Sequence, residues 1–329
     1  MPRFTLPLSS RRPARPLALL LAGLALAACQ RADAGADAAP QRVVSVSKQI
    51  NEMMYAIGAQ DVIVARDLSS IYPPAITEKP SVGYHRALSA EGIISMRPTL
   101  FLTDGNHGPE AVIEQLRKVG IPILTVESGG TVEGAQAMLT RLGTEFHREA
   151  QADSVLAEWR AGMQQLFADT AQWSAQRKPR VLLMHFGHLI NNYLAVNRGS
   201  PADQMLAWAG GVNAIDSVGG MTRLTPELIA KAAPDVVIAT DFGFDRVGGA
   251  RQFAEMPGIA LTPAGKSGRV YRIGETEVIY FGPRTPATVR KLATLIHATD
   301  PAAAVAATTA AAAGNAPASG TAADTAARP

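Results

Sequence analysis

A chain of 329 residues, 47% hydrophobic, is long enough for two domains that each bury a core. Its net charge of +3 owes much to Arg3, Arg11, Arg12 and Arg15 at the N-terminus, and no lysine or arginine run marks the rest. That distribution excludes nucleic acid as a partner, because a basic face or stripe is what phosphate recognition requires.

The first element is a leader. Arginines precede an apolar run from Leu17 to Ala28 that is too short to span a bilayer. It closes on Leu26-Ala27-Ala28-Cys29, which looks like a bacterial lipobox, and Cys29 is the single cysteine of the chain. A plain secretory leader cut near Ala28 is the alternative; a thiol with no disulfide partner in the chain favours acylation at Cys29. Either way the sequence predicts export, to the periplasm or cell envelope, with residues 1–28 as signal peptide and 29–41 as a small, polar, lipidated tether. Arg11-Arg12 lacks good surroundings for twin-arginine export.

From Arg42 short apolar runs alternate with amphipathic stretches. The pattern predicts a strand at Arg42–Val46, a helix at Gln49–Ile57 closed by Gly58, and strands at Val62–Ala65 and Leu100–Leu102. A helix over Gly108–Val119 and a strand at Ile121–Val126 follow. Residues 144–177 carry apolar positions at helical spacing (Val155, Leu156, Trp159, Met163, Leu166) and predict one long helix ended by Lys178-Pro179. Strands at Val181–Phe186, Val236–Ala239 and Arg269–Arg272 then resume the alternation. The fold class is therefore α/β, with two Rossmann-like lobes at 42–143 and 178–298 and the long helix between them. Residues 299–329 are almost all Ala, Thr, Gly and Pro, and are expected to be a disordered tail, since little beyond Val305 could be buried.

A repeat supports two lobes. Ser89-Ala90-Glu91 with Pro98, and Thr225-Pro226-Glu227 with Pro234, share a hydroxyl N-cap, a glutamate two positions on and a proline seven residues after the glutamate. Both glutamates fall in a helix first turn, where the helix dipole favours them by a few tenths of a kcal/mol. The dipole explains either glutamate alone but not their matching registers.

The segment Val82-Gly83-Tyr84-His85-Arg86-Ala87-Leu88-Ser89-Ala90-Glu91-Gly92 carries the chemistry. A phenolate can ligate ferric iron and a guanidinium fork can hold a carboxylate. Iron and carboxylates together are what haem presents.

With Arg42-Val43-Val44-Ser45, Asn51-Glu52, Leu261-Thr262-Pro263-Ala264-Gly265 and the two Glu-to-Pro repeats, this segment makes residues 42–298 resemble substrate-binding proteins of ABC transporters for iron-siderophores, haem and cobalamin. Within that class Tyr84-His85-Arg86 and Phe281-Gly282-Pro283-Arg284-Thr285-Pro286 look most like the haem-binding members. The resemblance implies a monomeric, non-enzymatic receptor that holds haem in a ligand cleft between the lobes, as transported ligand rather than catalytic cofactor, and passes it to an inner-membrane permease and its ATPase. Tyr84 would be the axial ligand, losing its proton on bonding to iron, and Arg86 the propionate partner. Glu91 and Glu227 would dock on the permease, one from each lobe. Some relatives add a histidine from the second lobe. Here His185 and His188 follow the strand at 181–184, at the carboxyl end where α/β sheets bind ligands, and either could serve.

Other positions are weaker. His85 stands beside Tyr84 and, in an extended segment, would point away from it, as a cleft-wall or outward residue. His107 reads as a solvated loop residue, and His147 and His297 as surface positions on helices. Tyr193, Phe242 and Phe244 could cover a porphyrin face or simply pack. Thr99 replaces the aspartate that Asp235 keeps in the second repeat, without expected loss. The alternatives are a ferric-siderophore or cobalamin receptor and, from another class, a secreted metalloenzyme using His85, His107, His185 and His188. The latter lacks the close paired spacing of a metal motif.

Overall fold

Continuous apolar runs such as Leu100-Phe101-Leu102 and Val236-Val237-Ile238-Ala239 suit parallel strands covered on both faces, and they sit at the centre of two sheets. The computed structural model describes residues 41–171, 177–186 and 193–314, with side chains to 309. The leader, Cys29 and the tether lie outside the described residues, as does His188.

The first sheet has the order β2-β1-β3-β4 and is parallel throughout. Its strands are β1 (Val43–Ser45), β2 (Ile63–Arg66), β3 (Leu100–Thr103) and β4 (Ile123–Thr125). Helices α1 (Lys48–Ala56), α2 (Ala90–Ser95) and α3 (Glu110–Lys118) connect them. Ser47 caps α1 by accepting from the Ile50 N–H, and Ser89 caps α2 by accepting from that of Gly92.

The predicted long helix over 144–177 is α5 (Glu149–Thr170), and a helix that the sequence did not reveal, α4 (Val132–Glu145), comes before it. The break falls at His147, which adopts a left-handed φ of 53° and so lies in a connection rather than on a helix. Gly143 permits the turn-back: a Cβ there would stand 2.7 Å from that of Ala152, so α4 and α5 approach too closely for any side chain.

The second sheet runs β10-β9-β5-β6-β8. Strands β5 (Arg180–Phe186), β9 (Val236–Thr240) and β10 (Val270–Ile273) are parallel, and β7 (Val212–Asn213) pairs in parallel with the start of β5. β6 (Tyr193–Val196) and β8 (Met221–Arg223) add an antiparallel edge that the sequence did not reveal. They are short and partly exposed, with too few residues to show alternation. Helices α6 (Pro201–Trp208), α7 (Pro226–Ala232), α8 (Asp241–Val247), α9 (Ala250–Ala254), α10 (Pro263–Ser267), α11 (Glu275–Val278) and α12 (Thr285–His297) complete this half.

The repeat noticed in the sequence has a structural counterpart. Thr225 caps α7 as Ser89 caps α2. Thr99 Oγ1 accepts from the Arg42 N–H at 2.8 Å at the start of β1, and Asp235 Oδ2 accepts from the Arg180 N–H at 2.8 Å at the start of β5. Threonine thus performs in one sheet the task of aspartate in the other.

One apolar core runs through both halves. Val43 and Leu102 of the first sheet, Met53 of α1, Leu156 and Met163 of α5, Leu292 of α12 and Val181 and Ile238 of the second sheet belong to a single buried cluster. Separate clusters back the outer face of each sheet. Helix α5 is the bridge: it packs on α4 and on α12, where a Cβ on Gly162 would meet Pro286 at 2.9 Å.

Two further expectations are corrected. Residues 301–314 form helix α13 (Pro301–Gly314), packed on α12 through buried Ala304 and started by Asp300, whose carboxylate accepts from the Ala302 N–H at 2.9 Å. Alanine has the highest helix propensity, and a small side chain sufficed for the contact. Residues 315–329 lie outside the described residues. His297 is partly buried, with Nε2 3.0 Å from the Ala209 carbonyl; burial lowers its pKa.

Candidate functional site

The carboxyl ends of β1 and β3 face the carboxyl ends of β5 and β10 across a cleft with about 960 Å³ of open space. Its wall on the first lobe holds Tyr84, His85, Arg86, Asp104, Asn106 and Ser128, and the second lobe contributes His185 and Met221. Lys48, Glu275, Ile279 and Tyr280 also line it.

Tyr84 is delivered by backbone bonds. The segment pairs with the end of β2, through Val82 N to Arg66 O at 2.8 Å and Leu68 N to Gly83 O at 2.7 Å. Gly83 then takes a φ of 98°, which favours glycine. A turn closes through Ala87 N to Tyr84 O at 2.7 Å, and Gly108 N to His85 O at 2.9 Å ties it to the loop after β3. Because the chain turns here, Tyr84 and His85 do not point to opposite sides. Both line the cleft, with ring centroids 4.4 Å apart. The extended geometry assumed from the sequence fails at Gly83, while the placement of His85 in the cleft wall holds.

His85 is 8% exposed and is anchored by a carboxylate. Its Nδ1 lies 3.0 Å from Ser69 Oγ and 3.4 Å from Asp67 Oδ2. Asp67 is fully buried and also accepts from the hydroxyls of Ser69 and Ser70 and from the Ser69 N–H. Burial pushes its pKa up, but the hydrogen bonds from His85, Ser69 and Ser70 prevail and hold the carboxyl below its usual range. A depressed carboxylate stabilises the fold above its unfolded pKa of ~3.9, an effect lost as pH falls through the lower folded value. Asp67→Asn is therefore expected to lower the unfolding free energy by about 1–3 kcal/mol at neutral pH. In urea titrations the gap from wild type should narrow progressively below pH ~4; a gap that stays constant down to pH 2 would contradict this account.

Arg86 is exposed, and its Nε donates to Asn106 Oδ1 at 3.2 Å, which leaves the guanidinium NH2 groups for an anion in the cleft. Asn106 itself sits in a loop shaped by Asp104, which accepts from Ser47 Oγ at 2.6 Å and from the Asn106 N–H at 2.9 Å. On the opposite wall His185 occupies β5 between Met184 and Phe186 and lines the cleft. The structure thus brings Tyr84, Arg86 and His185 into one cavity. Among the described residues, no group of three or more His, Cys, Asp or Glu side chains is arranged to hold a bare metal ion.

The remaining candidates separate. Glu91 and Glu227 are exposed in the first turns of α2 and α7. Hydrogen bonds from its own N–H and from Thr225 hold the Glu227 carboxyl below its usual pKa. His107 is not a solvated loop residue: its side chain is 11% exposed, with Nδ1 3.0 Å from Thr103 Oγ1. Phe244 is buried and stacks on Phe253 with centroids 5.6 Å apart, so it belongs to the core. Phe242 is 42% exposed and, with Tyr193, flanks Phe186. Gly243 lets α8 approach this cluster, since a Cβ there would fall 2.4 Å from that of Phe186.

The sequence reading missed three polar contacts: Asp67 with His85, Glu52 with Arg284, and Lys48 with Glu275. Their partners lie far apart in the chain, up to 232 residues, so no local spacing could have announced them.

Two α/β lobes bridged by a helix, with a ligand-sized cleft at their strand ends, define a substrate-binding protein. The family model for periplasmic binding proteins matches residues 43–277, and the chain belongs to that family. Among solved structures it is similar to the periplasmic heme-binding protein RhuT from Roseiflexus sp. RS-1 in apo form, at 28% identity and a TM-score of 0.73, over 81% of this chain and 100% of that one. It is also similar to the periplasmic heme-binding protein BhuT in complex with two hemes, at 31% identity and a TM-score of 0.70, over 78% of this chain and 99% of that one. A vitamin B12-binding protein of Pectobacterium atrosepticum is 25% identical over 205 residues, 62% of this chain and 72% of the relative.

Proposed function

We propose that this protein captures haem in the cleft between its lobes and delivers it to an inner-membrane ABC permease and its ATPase. The observation that carries the reading is Tyr84 and Arg86 on one wall of a cavity whose other wall holds His185. Tyr84 supplies an anionic oxygen for ferric iron once its proton is displaced, and Arg86 supplies a planar fork for a propionate. His185 is the second-lobe donor on the described residues, and His188 remains a candidate from outside them. Solved relatives that bind heme support the choice of ligand.

Glu91 and Glu227 are read as permease contacts because each is exposed at an equivalent helix start. Pairs of this kind add little affinity singly but fix orientation when two are held at a set distance. Cys29 is read as the lipid anchor, with lobes at 42–143 and 178–298. The similarity to vitamin B12-binding proteins favours cobalamin as the second reading.

An absorption titration of the mature protein with ferric haem tests the first reading, run beside cyanocobalamin. A saturable one-to-one Soret shift with a tyrosinate charge-transfer band is expected, weakened about tenfold in Arg86→Ala through loss of a charged hydrogen bond. Absence of saturable haem binding, with cyanocobalamin bound instead, would transfer the assignment to the second reading.

A further inference from the structure

The floor of the cleft is a contact between the lobes, made from one face of α1. Lys48, Gln49 and Glu52 are spaced i, i+1 and i+4, and all three reach residues 275–284 of the second lobe. Lys48 Nζ meets Glu275 Oε1 at 2.6 Å, each side chain 18% exposed and both lining the cleft. Gln49 Nε2 donates to the Phe281 carbonyl at 2.8 Å while its Oε1 accepts from Ser128 Oγ at 2.9 Å. Arg284 inserts into the first lobe, donating to both Glu52 oxygens at 2.8 and 2.7 Å, with its guanidinium carbon 3.4 Å from the Tyr72 ring centroid. Tyr280 donates to the same carboxylate at 3.0 Å.

A lysine at the first position of a helix opposes the helix dipole, and a buried glutamate on a core-facing helix surface opposes apolar packing. Neither serves α1 itself. What they share is direction: each fixes one point of the first lobe to one point of the second, Lys48 and Glu275 in the cleft lining and Glu52 beside the lining residue Tyr280. Polar contacts of this kind specify a register that apolar packing alone leaves adjustable.

We propose that the Lys48–Glu275 and Glu52–Arg284 pairs are specificity-determining: they set the separation of the cleft walls, and with it the thickness of ligand the cleft admits. Ligand choice then depends on residues that make no bond to iron. The ligand half of this inference rests on the haem reading above; the geometric half does not.

Glu52 and Arg284 are too deeply engaged for a clean test, because removing either threatens folding. Lys48 and Glu275 are the accessible pair, and their charges can be exchanged. With the only cysteine, Cys29, replaced as Cys29→Ser, the mature chain takes spin labels at Val119→Cys and Val218→Cys, exposed positions in the two lobes. Lys48→Glu and Glu275→Lys should each broaden and lengthen the label distance, and lower the ratio of haem to cyanocobalamin affinity by about tenfold. The combined exchange should restore both readouts. Unchanged distances in the single variants, or no restoration in the double, would overturn the gauge. Widening with an unchanged affinity ratio would overturn its role in specificity. Should the wild type bind no haem, the functional reading falls, and the distances with their rescue decide the gauge alone.

Discussion

Tyr84→Ala is expected to abolish the tyrosinate charge-transfer band and to weaken ferric haem binding by about a hundredfold, equivalent to ~2.7 kcal/mol. Loss of a residue that merely supports a metal ligand costs about 10–100-fold, so loss of the ligand itself should reach the upper end or exceed it. Apolar stacking in the cleft and the Arg86 contact remain in the variant, which is why some affinity should survive. The spectrum discriminates among donors. A shift that persists at full affinity with a histidine-type Soret band would move the iron to His185 or His188. It would also implicate His85, whose ring stands 4.4 Å from that of Tyr84 and whose Nδ1 is already engaged by Ser69 and Asp67.

The second large effect concerns stability. Arg284→Met leaves the Glu52 carboxylate, 4% exposed, without its cation, and should lower the unfolding free energy by about 3–5 kcal/mol. That is a large share of the 5–15 kcal/mol typical of a folded domain. Burial alone would lower the Arg284 pKa; hydrogen bonds and charge from Glu52 outweigh it and raise it. Replacing both partners, as Glu52→Met with Arg284→Met, should recover most of the loss, because the isolated buried charge then disappears. Urea unfolding of the wild type, both singles and the double closes the cycle. A coupling energy near zero would show that the pair is incidental to stability.

Periodicity and apolar runs made the parallel strands readable, since β1, β3, β5 and β9 are buried on both faces and carry little else. Caps made the starts of α2 and α7 readable, and with them the equivalence of Glu91 and Glu227. What stayed hidden had physical causes. The α4–α5 break depends on a left-handed His147 and a close approach at Gly143, features of tertiary contact rather than local pattern. Tyr84 and Arg86 stood out by chemistry, but the turn that swings His85 to the same side depends on Gly83 and on hydrogen bonds to the loop after β3. Lys48 and Glu52 looked like an ordinary polar helix face until residues 275–284 arrived beside it.

The apolar cluster that runs from Val43 through α5 to Ile238 bears on how the protein spends its time. Lobes fused through a common core have no independent melting transition, and the polar pairs at the cleft floor hold the walls against gaping. The receptive form is therefore the resting form, and affinity is not discounted by a fraction of closed or splayed molecules. Loading should lift one cooperative thermal transition for the whole of the folded chain, by an amount set by ligand concentration over Kd. Unloading cannot rely on spontaneous opening. If the ligand leaves to a docked transporter, as proposed above, the work of parting the walls falls to that partner.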